Sequence, residues 1–189
     1  MTTKEKLLEA AYRCFSKKGY LGATTREISR SAGVSEVTLF RIFGSKRKLF
    51  WEVLMRYSVI PNLERIGESR SKLSGEDLVL SVGYEIVKSL EERKDFLRIL
   101  LSEAPRLSGE VMEIYKEFSD KLLEVLIGVF KQAFPEVDSG ELKKRVEIFR
   151  YSLFGFFLSN GILQGRTLSQ SEIEDFLKSL TGEIFGGKS

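Results

Sequence analysis

Apolar residues return every three or four positions along almost the whole chain, and nowhere do they alternate at the two-residue period of a strand. A chain patterned in this way buries its apolar faces only by packing helix on helix, so the pattern predicts an all-α fold. Three prolines, at 61, 105 and 135, are its only strong breakers. The first predicted helix runs from about Thr3 to Lys18, with Leu8, Ala11, Tyr12 and Phe15 on one face and Gly19 as its stop. Thr24-x-x-Glu27 has the form of a capping box and opens a second helix that ends at Gly33. Ser35 is placed to cap a third and Ser45 a fourth. The fourth carries Phe50, Trp51, Leu54 and Tyr57 and is predicted to continue past Pro61 as a kinked extension.

Residues 67 to 75, rich in Gly, Ser and charge, read as a linker. A helix with Leu78, Val82, Ile86 and Leu90 inward follows it, then a short one over 95 to 103 closed by Ala104-Pro105. Ser108 opens a long helix with Val111, Ile114, Tyr115, Phe118, Leu122 and Val125 on its buried side. Phe134-Pro135 breaks it. Asp138-x-x-Glu141 starts a helix running to about Gln164, and Ser171-x-x-Glu174 is the predicted cap of the last, with Ile173, Phe176, Leu177 and Leu180 inward. About nine helices result.

What such a bundle can do is limited by what it lacks. Without a single His the chain has neither the commonest general base nor the common metal ligand. One Cys, Cys14, excludes an internal disulfide and a multi-thiolate metal site. No catalytic residue, metal or other cofactor is therefore expected. Lone helical glutamates such as Glu85 and Glu103 could serve an enzyme, but such side chains are usually solvated or ion-paired. Acid and base precede any apolar run at the N-terminus, and Tyr151 to Leu163 is too short and too broken by Ser152, Ser159, Asn160 and two glycines to span a bilayer. The expectation is a cytoplasmic protein without a membrane partner. Scarce Asn and Gln beside many Lys, Glu and Arg lean towards a thermophilic source.

The net charge of +3 is unevenly placed: residues 1 to 48 hold eleven Lys/Arg against four Glu, a local +7, which leaves −4 for the remainder. A basic head on a mildly acidic body points to a polyanion partner. Within that head, two short capped helices flank Gly33, the arrangement of a helix-turn-helix whose second helix lies in the DNA major groove. Ile28, Ala32, Val34, Leu39 and Phe43 are spaced to pack together and on the first helix. Glu36, Val37, Thr38 and Arg41 are then left to face outward, where short and β-branched side chains touch thymine methyls and Arg reaches guanine. Thr24, Thr25, Arg26, Ser35, Lys46 and Lys48 sit at helix starts, which are natural phosphate sites.

The run TTREISRSAGVSEVTLFRIFGSKRKLF closely resembles the N-terminal signature of the TetR family of transcriptional repressors. The resemblance covers about residues 3 to 53 and rests on Thr24/Thr25, Ile28, Ala32, Gly33, Val34, Ser35, Thr38, Leu39, Phe43, Ser45, Lys46 and Leu49. Phe40 stands where the family usually has Tyr, and Ile42 where His is frequent. The resemblance implies a helix-turn-helix head, residues 1–48, and a ligand-binding and dimerisation body, residues 49–189. It also implies a homodimer reading a pseudo-palindromic double-stranded DNA operator through Thr24, Thr25, Arg26, Ser35, Glu36, Val37, Thr38, Phe40, Arg41 and Lys46. A small hydrophobic or amphipathic effector would release the DNA; a constitutive regulator of the same fold without a ligand is the alternative.

In the body, Ser152, Gly155 and Ser159 form a small-residue stripe that lets a second helix approach closely. With Phe156, Phe176 and Leu180 they are the expected dimer face, a four-helix arrangement of the last two helices and their mates. Tyr84, Met112, Tyr115, Phe118, Phe149 and Phe154 are the aromatic and apolar candidates for an effector pocket.

Overall fold

Most helices of this computed structural model begin where a side chain takes up backbone N–H groups that a first turn leaves unpaired. It describes residues 1–68, 75–103 and 109–186 of the 189. Thr2 and Glu5 exchange capping bonds at the start of α1 (Thr3–Gly22), and Thr24, Ser35 and Ser45 accept from the third residue of α2 (Thr25–Ser31), α3 (Glu36–Phe43) and α4 (Lys46–Tyr57). The chain continues through α5 (Ile60–Glu68), α6 (Gly75–Glu92), α7 (Lys94–Glu103) and α8 (Gly109–Ala133). Asp138 caps α9 (Ser139–Phe157), which widens into a π-helical turn over Leu158–Leu163, and Ser169 caps α10 (Gln170–Phe185). Ten α-helices and no strand are present among the described residues.

Four expectations are corrected. Helical turns resume after Gly19 and carry α1 on to Gly22, because Gly19 breaks the helix locally at φ 70° rather than ending it. The fourth helix does not kink through Pro61: Ser58 is extended, and Pro61 falls in the first turn of a separate α5, where its missing N–H costs nothing. This division accounts for the additional helix. The last helix is capped by Ser169 and Glu172, which bond reciprocally, whereas Glu174 accepts from Gln170 Nε2 at 2.7 Å. In α8 the buried positions are Val111 and Ile114, then Leu123, Leu126, Val129 and Phe130, so the stripe drawn through Leu122 and Val125 is displaced by one residue in the helix's second half. Most of the proposed linker, 69–74, lies outside the described residues, as do Ala104, Pro105 and Ser108.

Two units divide the chain, one of residues 1–58 with 95–119, the other of residues 59–94 with 120–189. In the first, Phe50 is fully buried among Phe15, Tyr20, Phe96 and Tyr115, with ring centroids 4.9, 4.9, 6.4 and 6.3 Å away. In the second, Phe130, Phe149 and Phe185 meet edge to face at 5.3 to 5.8 Å, and α6 packs against both α9 and α10. Gly83 permits that approach: a Cβ there would lie 2.4 Å from Leu177 Cδ2 and 3.1 Å from the Phe149 ring.

A charged lattice closes the entrance to α10. Arg166 bonds Asn160 Oδ1 at 3.2 Å and the Glu172 carboxylate, and its own carbonyl receives the Lys94 ammonium. Bonds from the Ser169 backbone N–H, the Ser169 hydroxyl and Arg166 hold the Glu172 carboxyl down to about 2, from an ordinary 4.5. A depressed carboxyl stabilises the fold above its unfolded-state value and loses that contribution as pH falls through the folded one. In urea titrations, wild type should therefore exceed Glu172→Gln in stability above pH 4.5, and the difference should close as pH approaches 2. A difference independent of pH would assign the effect to packing instead.

Candidate nucleic-acid interface

The helix-turn-helix is built from the inside outward. Ile28, Leu39 and Phe43 are 0 to 3% exposed, and Ala32 and Val34 pack partly buried against the same core as Leu8, Ala11 and Phe15 of α1. Between α2 and α3 the chain turns on Gly33 at φ 70°, with Gly33 N–H bonded to Arg30 O at 3.1 Å and Val34 N–H to Ser29 O at 3.0 Å. A Cβ at Gly33 would meet no atom within 4 Å among the described residues, so it is the left-handed backbone that calls for glycine here.

With one face of α3 buried, the other is presented. Val37 is 77% and Phe40 44% exposed, and Arg41 is exposed beside them. Thr38 is half-buried and shares a 2.9 Å hydrogen bond with the Ser35 hydroxyl, which also accepts the Thr38 N–H at 3.2 Å. Glu36 is not a loose acid: the Thr25 hydroxyl donates to its Oε1 at 2.6 Å, tying the start of α2 to the start of α3. Thr24 is exposed and accepts from Glu27 N–H, Arg26 is exposed, and Lys18 pairs with Glu27 at 2.6 Å. The Lys46 ammonium stands 4.5 Å above the Tyr20 ring. Arg47, by contrast, is paired with Glu117 at 2.6 Å, with Glu113 at 4.0 Å beyond.

Two residues of this region escape sequence reasoning. Tyr20 carries Lys46 on its ring, and Glu103, 83 residues further on, accepts the Tyr20 N–H. No local pattern connects positions so far apart. The two glutamates considered for an enzyme are both engaged: Glu103 with backbone N–H groups and Glu85 with Asn62 Nδ2 at 3.1 Å.

The pocket candidates fall into separate groups. Met112 is 53% exposed, while Tyr115 and Phe118 pack against the first unit's core. The Tyr115 hydroxyl is buried without a hydrogen-bond partner among the described residues, and burial first, the Glu103 charge second, push its pKa up. In the second unit Phe149 is fully buried, Phe154 is 38% exposed, and Tyr84 lines an open groove of about 260 Å³ with Leu80, Glu174, Leu177 and Lys178. On the expected dimer face, Gly155 and Ser159 are exposed, Ser152 and Leu180 are half-buried, and Phe156 stacks on Phe176 at 4.0 Å within the chain. Ile148, Tyr151 and Leu163 add exposed apolar surface at 55, 61 and 76%. Among the described residues no helix is long and apolar enough to cross a membrane.

Residues 7–53 match the family model for bacterial regulatory proteins of the tetR family. The HTH-type transcriptional regulator YvkB of Bacillus subtilis is 30% identical over 189 residues, 99% of this chain and 97% of that one. IcaR of Staphylococcus aureus, a negative transcriptional regulator of the biofilm operon icaADBC, is 24% identical over 82% of this chain and 98% of its own. The transcriptional regulator FadR of Bacillus subtilis, whose crystal structure contains stearoyl-CoA, has the same fold, with a TM-score of 0.72 over 97% of this chain and 98% of that one at 16% identity.

Proposed function

Because the chain belongs to the TetR family of bacterial transcriptional regulators, we propose that it is a homodimeric repressor that reads a pseudo-palindromic operator through α3 and is released by a small apolar or amphipathic effector. The observation that carries this reading is the division of α3 into a clamped face, Leu39 and Phe43, and a presented face, Val37, Phe40 and Arg41. Short apolar groups and an Arg suit base edges, while the starts of α2 and α4, with Thr24, Thr25, Arg26 and Lys46, suit phosphates. Two recognition helices of a dimer need a separation of about 34–36 Å to enter successive major grooves, so an effector that alters the dimer's spacing alters affinity. Repression is the direction favoured by the likeness to IcaR, a negative regulator.

Lys46 provides the test of DNA contact. Lys46→Ala should weaken binding about equally on all duplexes and lower the slope of log K against log salt by about one, as for one lost phosphate contact. Fluorescence anisotropy across a salt series reads both; an unchanged slope removes Lys46 from the interface.

For the effector, the groove beside Tyr84 offers apolar walls of Leu80 and Leu177 with Glu174 and Lys178 at hand, a combination suited to an amphipathic molecule. The acyl-CoA in FadR makes a fatty acyl chain the first class to try. Full burial of Phe149 among Phe130 and Phe185 favours the alternative, a regulator whose second unit is filled by its own core. Thermal shift separates the two, since a ligand bound to the folded state raises stability by RT ln(1 + [L]/Kd).

A further inference from the structure

Glu103 lies at the end of α7, yet its carboxylate grips the backbone of α1. Tyr20 N–H donates to Oε2 at 2.8 Å and Leu21 N–H to Oε1 at 3.1 Å. Gly19 makes the grip possible twice over. Its φ of 70° turns the chain so that two successive N–H groups face one carboxylate, and a Cβ on it would stand 2.2 Å from the Glu103 carboxyl carbon. The residue held in this way is the one whose ring, 6% exposed and wedged against Phe15 and Phe50, carries the Lys46 ammonium at 4.5 Å. Four residues after Tyr20, Thr24 caps α2.

We propose that Glu103 is a positioning residue for DNA recognition: it fixes the corner between α1 and α2, and through the Tyr20 ring it sets where Lys46 meets the phosphate backbone. The inference rests on the DNA-binding reading above. It makes a segment outside the first 58 residues part of the reading head. It also predicts an effect opposite in sign to simple charge. Removing an acid from a basic DNA-binding head should tighten binding to a polyanion; removing this one should loosen it, because Lys46 loses its seat.

The experiment is a double-mutant cycle of Glu103→Gln and Lys46→Ala, titrated by anisotropy on a duplex selected from a random pool, with hydrogen exchange followed at the Tyr20 and Leu21 amides. Expected are faster exchange at both amides, affinity about tenfold weaker for Glu103→Gln alone, and a much smaller further loss when Lys46 is already Ala. Unchanged or tighter binding by Glu103→Gln, or a loss equally large in the Lys46→Ala background, overturns the proposal. If wild type selects no duplex at low salt, the DNA-binding reading fails and this inference with it. Should Glu103→Gln be too unstable to titrate, Glu103→Asp, which keeps the charge but withdraws it by one methylene, carries the same comparison with a smaller expected loss.

Discussion

Replacing Phe50 by alanine is expected to destabilise the protein by about 3–5 kcal/mol, the range for truncating a fully buried aromatic. Its ring is 0% exposed and lies at the meeting point of α1, α4, α7 and α8 within the first unit, with Phe15 at an interplanar angle of 77° and Tyr115 at 85°. Edge-to-face pairs of this kind contribute about 0.5–1.5 kcal/mol each beyond buried area, and one truncation removes several at once. Domains are stable by about 5–15 kcal/mol, so the variant should stand close to the folding threshold. Chemical denaturation of wild type and variant at one temperature gives the difference directly. A loss under about 1 kcal/mol would mean that neighbouring rings close over the gap and that Phe50 is not the hub. DNA binding should fail with the fold, because Tyr20, the seat of Lys46, packs on Phe50 at 4.9 Å.

The parts of this architecture legible in the sequence are those fixed by neighbours in the chain. Thr24, Ser35, Ser45 and Asp138 were readable as caps because a hydroxyl or carboxylate three residues ahead of an N–H is a local relation. The clamp of Ile28, Leu39 and Phe43 follows from helical period alone. What stayed hidden depends on partners distant in sequence. Gly19 looks like a helix stop, and the Glu103 carboxylate, which accepts the Tyr20 and Leu21 N–H groups, helps the chain turn there and still resume helical turns. Two serines stand at the start of α10, Ser169 before it and Ser171 in its first turn, each with Glu three residues on; the Arg166 bond to Glu172 distinguishes them. The α8 stripe shifts where the helix passes from the first unit to the second, since each half is buried by different neighbours.

Gly155→Arg should convert the proposed dimer into a monomer and lower operator affinity about 100-fold or more, the scale of avidity lost when two linked sites act separately. A Cβ at Gly155 would meet no atom within 4 Å among the described residues, and Arg is a better helix former than Gly, so the isolated protomer should still fold. Exposed Ile148 and Tyr151 lie on the same side of α9 as Ser152, Gly155 and Ser159, opposite buried Val146, Phe149, Leu153 and Phe157. Such an apolar stripe with small residues along it suits a mate that approaches closely, and an Arg at its centre would be desolvated against that mate. The added positive charge works against the expected result, since electrostatics alone would tighten DNA binding. A weaker-binding monomer whose helical circular dichroism matches wild type therefore has one explanation, the loss of the second head, and its melting point should fall only by what dimerisation contributes. Light scattering at micromolar concentration, paired with anisotropy on the selected duplex, decides it: a variant that stays dimeric and binds as wild type moves the interface off this face of α9.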